Sequence, residues 1–153
     1  MPTSARRTLK PPSGSAAARL RRVEEDPRLV VPNAREQTIL LVEDDDQLRR
    51  LMSLALRLAG FVTREARDGL EALAILEGSR FDGVVVDLAL PYLDGVSVIQ
   101  EVATHAWAQS IAVVVVTGSD IPLDHVRHDC VLRKPVTTDQ VVDTVKRCLA
   151  HLA

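Results

Sequence analysis

From Thr38 onward the chain alternates short, almost wholly apolar runs with segments whose apolar residues recur at helical spacing, and few architectures accept that alternation. The runs TILLV (38–42), GVVV (83–86) and IAVVVV (111–116) have no polar residue on alternate positions beyond a leading threonine. A strand with one wet face would show such alternation, so these strands must be covered on both faces. Strands buried on both sides and separated by amphipathic helices make a parallel sheet wound with βα units. With 153 residues there is material for one such domain and little more.

Five strands and at least four helices are expected. After the first strand, 46–59 reads as a helix burying Leu48, Leu51, Met52, Ala55, Leu58 and Ala59, and Gly60 ends it. A second strand follows over 61–66. Asp68 then caps a helix that turns Leu70, Leu73 and Ala74 inward and stops at Gly78. Beyond the third strand, Asp94 caps a helix to about His105 that buries Val96, Ile99, Val102 and Ala103. The fourth strand is the most apolar and so belongs inside the sheet. A short fifth strand spans 130–133, and Thr137 with Gln140 forms a capping box before a helix carrying Val141, Val145, Cys148, Leu149 and Leu152.

A sheet of this kind works outside the carboxyl ends of its strands. There the sequence sets Glu43, Asp44 and Asp45 after strand one, Asp87 after strand three, Thr117 after strand four and Lys134 after strand five. Carboxylates gathered so closely repel unless neutralised, and an all-oxygen ligand set selects Mg²⁺ over Zn²⁺. Asp45 and Asp46 are better read as caps at the positive end of the first helix.

In this order, ILLVEDD (39–45), DGLEAL (68–73), VVVDLALPYLDG (84–95), VVVVTG (113–118) and LRKP (132–135) resemble the phosphoacceptor receiver domain of two-component response regulators, over roughly residues 37–152. The resemblance implies a flavodoxin-like sheet in the order 2-1-3-4-5. It implies that Asp87 is the phosphorylated aspartate, that Asp44 binds Mg²⁺ directly and Glu43 through water, and that the Ala89 backbone carbonyl is a further ligand. Thr117 would be the switch hydroxyl, and Lys134 the lysine joined to Pro135 by a cis bond. The implied partners are a histidine kinase or phosphotransfer protein upstream and an unknown protein target downstream. Two other readings are weaker. A phosphatase with Asp87 as nucleophile would want a second acid where Ala89 stands, and the three acids after strand one would repel the phosphate of a flavodoxin's FMN.

Two departures from the receiver pattern bear on the output. Only eleven residues, 119–129, separate Gly118 from Cys130, and Pro122 lies among them, so the helix usual between strands four and five is expected to be one turn or absent. This is similar to a divergent receiver subgroup with that helix shortened. Secondly, Val131 stands where receivers commonly carry a rotating aromatic. Output is therefore expected to run through the 118–129 loop, ordered or released as Thr117 moves.

The remaining features read more plainly. His125 and His128, beside Asp124 and Asp129, are taken as solvated loop polarity rather than a metal cage. Tyr92 and Trp107 are expected to be partly packed, and Cys130 and Cys148 to be separate small buried residues rather than a disulfide. Residues 1–36 hold eight Lys or Arg against four Asp or Glu, while the remainder holds eleven against seventeen. This Pro-, Ser- and Ala-rich segment is expected to be a disordered basic extension, with an electrostatic arm, a transit peptide or a misplaced translational start as alternatives. Without a secretory signal, a membrane span or a DNA-binding domain in the reading, the expectation is a stand-alone cytoplasmic receiver.

Overall fold

The computed structural model describes residues 35–118 and 120–153; the expected basic extension lies, but for its last two positions, outside the described residues. The elements run β1 (Thr38–Val42), α1 (Asp46–Leu58), β2 (Val62–Ala66), α2 (Gly69–Glu77), β3 (Gly83–Val86) and α3 (Gly95–Thr104). After a 3₁₀ turn at Ala108–Ser110 come β4 (Ala112–Thr117), β5 (Cys130–Arg133) and α4 (Thr138–Leu152). All strand pairs are parallel, in the order β2-β1-β3-β4-β5. The flavodoxin-like topology is therefore as expected, with β4 inside the sheet.

The side-chain period of two divides the strands between two cores. Leu40, Val42, Val84, Val86, Val113 and Val115 pack with Ala72 and Leu76 of α2 and Val98, Ile99 and Val102 of α3. Ile39, Leu41, Val85, Val114 and Val116 pack with Met52 and Leu56 of α1 and Val141, Val145, Cys148 and Leu149 of α4. Each fully buried Val, Leu or Ile contributes about 1.5–3 kcal/mol of transfer free energy, so the sheet interior is the main stabilising element.

Helix caps follow the sequence closely. Asp45, Asp68 and Asp94 each accept a backbone N–H at the start of their helices, and the Thr137–Gln140 capping box closes in both directions. Helix faces follow it less well. In α1 the buried residues are Arg49, Met52, Ser53 and Leu56, while Leu51 and Leu58 are exposed, Leu58 by 80%. The stripe is rotated because Arg49 reaches inward to polar partners and takes its neighbours with it. In α2 Leu70 and Ala74 face outward and Gly69, Ala72 and Leu76 inward, since Gly69 abuts the backbone of Leu93. In α3 Val98 takes the place expected for Ala103, and Leu152 at the end of α4 is exposed.

Two aromatic and thiol expectations also change. Trp107 is partly packed, edge-on to Phe81 at 6.5 Å and stacked on His105 at 4.7 Å, but Tyr92 is 85% exposed. Cys130 and Cys148 are joined as a disulfide across Cα atoms 6.5 Å apart, because β5 starts against the buried face of α4.

Among the described residues no helix lies between β4 and β5. The segment is a strap. Asp129 exchanges two hydrogen bonds with Val113, its N–H donating to the Val113 carbonyl at 2.8 Å and its Oδ2 accepting the Val113 N–H at 2.7 Å. Arg127 donates to the Ile111 carbonyl at 3.2 Å, and Leu123 and Val126 rest on the core where a helix would otherwise lie. No helix of the described residues is long and apolar enough to cross a membrane.

Candidate functional site

Strand register alone assembles the site. Val42 pairs with Val86, so the next residues, Glu43 and Asp87, emerge side by side, and the Asp87 N–H donates to the Val42 carbonyl at 3.1 Å. Thr117 ends β4 opposite Arg133 of β5, and the Lys134 N–H donates to the Thr117 carbonyl at 3.0 Å. The Lys134–Pro135 bond is cis, as expected.

The side chains then converge. Lys134 Nζ donates to Asp87 Oδ2 at 2.6 Å and to Glu43 Oε2 at 2.8 Å, one ammonium serving acids from two strands. Asp87 Oδ1 accepts the N–H of Ala89 at 2.9 Å, and Glu43 Oε1 accepts that of Asp45 at 3.1 Å. Asp87 is 5% exposed and Glu43 2%, whereas Asp44 faces solvent at the rim. Thr117 is wholly buried at the strand end. Of the expected site residues, Glu43, Asp87 and Lys134 are directly bonded, Asp44 and Thr117 flank them, and Ala89 meets Asp87 through its amide.

Burial pushes the Glu43 carboxyl above its ordinary range, against the opposing pull of the Lys134 ammonium and the Asp45 N–H, and neighbouring Asp87 pushes it further up. Burial by itself would lower the Lys134 ammonium, but its hydrogen bonds to Asp87 and Glu43 outweigh that and raise it. Carboxylate oxygens of Glu43, Asp44 and Asp87 come within 4.8 Å of one another. Three acids against one ammonium leave the site two charges negative. Oxygen-only donors with a charge deficit of that size fit Mg²⁺. His125 and His128 belong to no such group among the described residues.

The sequence reading missed Arg49. Its Nη1 donates to the Glu43 carbonyl at 2.8 Å, while its other nitrogens pair with Asp46 and, at 3.5 Å, with Glu65. Asp46 is held below the usual carboxylate range by that guanidinium. The side chain braces the end of β1 from behind, so the backbone that carries both Glu43 and Asp44 is tied down. A charged residue on the apolar stripe between Leu48 and Met52 was the available signal.

Gly95 has a similarly local purpose. A Cβ there would lie 2.1 Å from the Asp87 carbonyl oxygen, so α3 can start this close to the end of β3 only without a side chain. Its N–H donates to the Leu88 carbonyl at 3.1 Å, which fixes the loop after Asp87.

The rim position of Asp44 gives a direct test of the acidic cluster. Asp44→Asn removes one of three mutually repelling charges and leaves the buried bonds intact. Its thermal stability without divalent ions should rise by about 0.5–1 kcal/mol, and millimolar Mg²⁺ should stabilise the unaltered protein but not the variant. Calorimetric scans with and without Mg²⁺ read both effects.

The sequence model of the response regulator receiver domain matches residues 39–146. Among curated proteins, the transcriptional regulatory protein PrrA of Mycobacterium tuberculosis is 34% identical over 116 residues, covering 72% of this chain. The chain in turn spans 49% of PrrA, so it corresponds to about half of that relative. Among solved structures, the chemotaxis response regulator CheY4 of Vibrio cholerae superposes with a TM-score of 0.68 at 26% identity, covering 74% of this chain and 99% of that one. The receiver domain of the sensor histidine kinase PA1611 of Pseudomonas aeruginosa superposes with a TM-score of 0.68 at 25% identity, covering 75% and 98%, and carries a magnesium ion in its active-site cleft.

Proposed function

This chain belongs to the response regulator receiver domain family, and on that footing we propose that Asp87 accepts a phosphoryl group from a histidine kinase or phosphotransfer protein and thereby switches contacts with a downstream protein. Receiver domains are signalling domains rather than typical enzymes. Residues 37–153 are the receiver in this reading and 1–36 a basic extension, with the cytoplasm as the place of action.

The observation that carries the proposal is the Lys134 ammonium shared by Asp87 and Glu43 at the switch point between β1 and β3. It holds the acceptor carboxylate in one orientation and supplies a positive charge beside the position of the incoming phosphoryl oxygens. An Asp87 oxygen attacks phosphorus, the donor's bond to phosphorus breaks, and the acyl phosphate remains on the strand end. Glu43, Asp44 and Asp87, with the Ala89 carbonyl, would hold Mg²⁺, which when bound neutralises the carboxylates and the transferring group. Thr117, buried beside the Lys134 backbone, is placed in this reading to donate its hydroxyl to the phosphoryl group.

The test is incubation with acetyl phosphate and Mg²⁺ followed by intact mass. Wild type should gain one phosphoryl group and Asp87→Ala none; gain on the mutant would move the acceptor elsewhere. Hydrogen exchange on the same samples reads the output. Exchange in the 120–129 strap should change on phosphorylation, and an unchanged strap would remove it from the signal path.

A further inference from the structure

Tyr92 is explained neither by the backbone nor by the core. It is the one non-glycine residue with positive φ, +65°, among the described residues. The Leu93 N–H donates to the Pro91 carbonyl at 2.7 Å, so Tyr92 is the centre of a three-residue turn of the rare, strained hand. That turn would form more easily around glycine. The segment is nonetheless locked on both sides. Leu90 and Leu93 pack against the core, the Leu93 backbone abuts Gly69, and Asp94 caps α3 through the Ser97 N–H at 2.8 Å. The phenol is thus held out from a rigid base with 85% of the residue in solvent. An exposed aromatic on a strained, over-determined turn points to a role outside folding.

Its surroundings narrow that role. Tyr92 and Pro91 form one wall of a cleft of about 390 Å³ whose other sides are Asp44, Asp46, Arg67 and Asp68. Asp44 belongs both to this cleft and to the carboxylate trio that includes Asp87. The cleft walled by Tyr92 therefore shares one carboxylate with the group that holds Asp87.

We propose that the Tyr92 ring receives the planar leaving group of an N-phosphorylated imidazole, the chemistry of a phosphohistidine side chain, and so favours such donors over acyl phosphates. The inference rests on the proposed role of Asp87. An Asp87 oxygen forms a bond to phosphorus as the P–N bond breaks, and its electron pair passes to the ring nitrogen. With the distal nitrogen already protonated, neutral imidazole leaves. Ring-on-ring contact at the rim stabilises the donor while this happens.

The experiment compares two small donors, N-phosphoimidazole and acetyl phosphate, by acid-quenched intact mass at matched concentrations with Mg²⁺. The readout is the ratio of the two phosphorylation rates. Tyr92→Ser should lower that ratio about three- to tenfold, and Tyr92→Phe should restore it, since the ring and not the hydroxyl is used. Tyr92→Gly should behave as Tyr92→Ser with a melting temperature no lower than wild type, which separates the effect from misfolding. An equal ratio in wild type and Tyr92→Ser, or a wild type that accepts only acetyl phosphate, overturns the inference. A wild type that takes phosphate from neither donor overturns it together with the role of Asp87.

Discussion

Lys134→Ala should destabilise the domain by about 2–4 kcal/mol near neutral pH and slow the phosphorylation of Asp87 by at least an order of magnitude. The ammonium is the partner of two nearly inaccessible carboxylates, at 2.6 and 2.8 Å, and no second cation contacts either in the described hydrogen bonds. Removing one member of a buried charged pair leaves the other desolvated and unpaired, and here two are left. The figure sits below that for a sealed pair because about a quarter of the lysine side chain reaches solvent. The pH dependence distinguishes this cause from lost packing. Glu43 already has a raised folded value, and loss of Lys134 removes the strongest of the pulls that oppose that rise, leaving only the Asp45 N–H. A carboxylate with a folded value above its unfolded one binds protons more tightly when folded, so stability grows as pH falls through the raised value. The deficit of Lys134→Ala should therefore shrink as pH falls through the raised Glu43 value, whereas a packing defect would persist. The raised lysine runs the other way: its contribution is present at neutral pH and is lost only as pH rises through its raised value. Denaturant titrations of both proteins across this range give the comparison.

Gly95→Ala should be nearly as damaging, at about 3 kcal/mol, and for a reason unrelated to charge. The added methyl would meet the carbonyl oxygen of Asp87 at 2.1 Å and the Leu88 Cα at 2.8 Å, both backbone atoms that no rotamer change can clear. Either α3 slides away from the sheet, opening the core around Val98 and Ile99, or the end of β3 moves. The second response displaces Asp87 from Lys134. Loss of phosphorylation at a temperature where circular dichroism still reports a folded domain is the expected result, and full activity with an unshifted melting curve would contradict it. Gly78→Ala, where the new methyl meets nothing within 4 Å, serves as the control.

Glu43, Asp87, Thr117 and Lys134 were legible in the sequence because each stands at the end of a strand-forming run or immediately after one. A parallel sheet brings such ends to one edge whatever the helices do. The caps were legible for a comparable reason, since Asp68, Asp94 and Thr137 act within one helical turn. What escaped was set by contacts distant along the chain. The inward face of α1 depended on Arg49 reaching Glu65 and the Glu43 carbonyl, and a periodicity count ranked Leu51 and Leu58 ahead of an arginine. Leu70 looked like core because nothing local reveals that Gly69 lies against Leu93. Tyr92 looked half-packed because a propensity rule assigns no tyrosine to a positive-φ turn. The pairing of Cys130 with Cys148 depended on how β5 meets α4, which spacing alone does not state.

In the proposed reading, the strap between β4 and β5 would change the geometry of transmission. A helix lying on a sheet is a stiff body, and a push at one end tilts all of it, so a partner meets a reoriented plane. The strap is tied at separate points, by Asp129 and Arg127 to the backbone at the start of β4 and by Leu123 and Val126 to the core. A displacement beginning at Thr117 would travel along such a tether only as far as the next knot. The signal from this domain would accordingly be written on a narrow line of surface, legible to a partner that grips a few residues and silent to one that docks across a face.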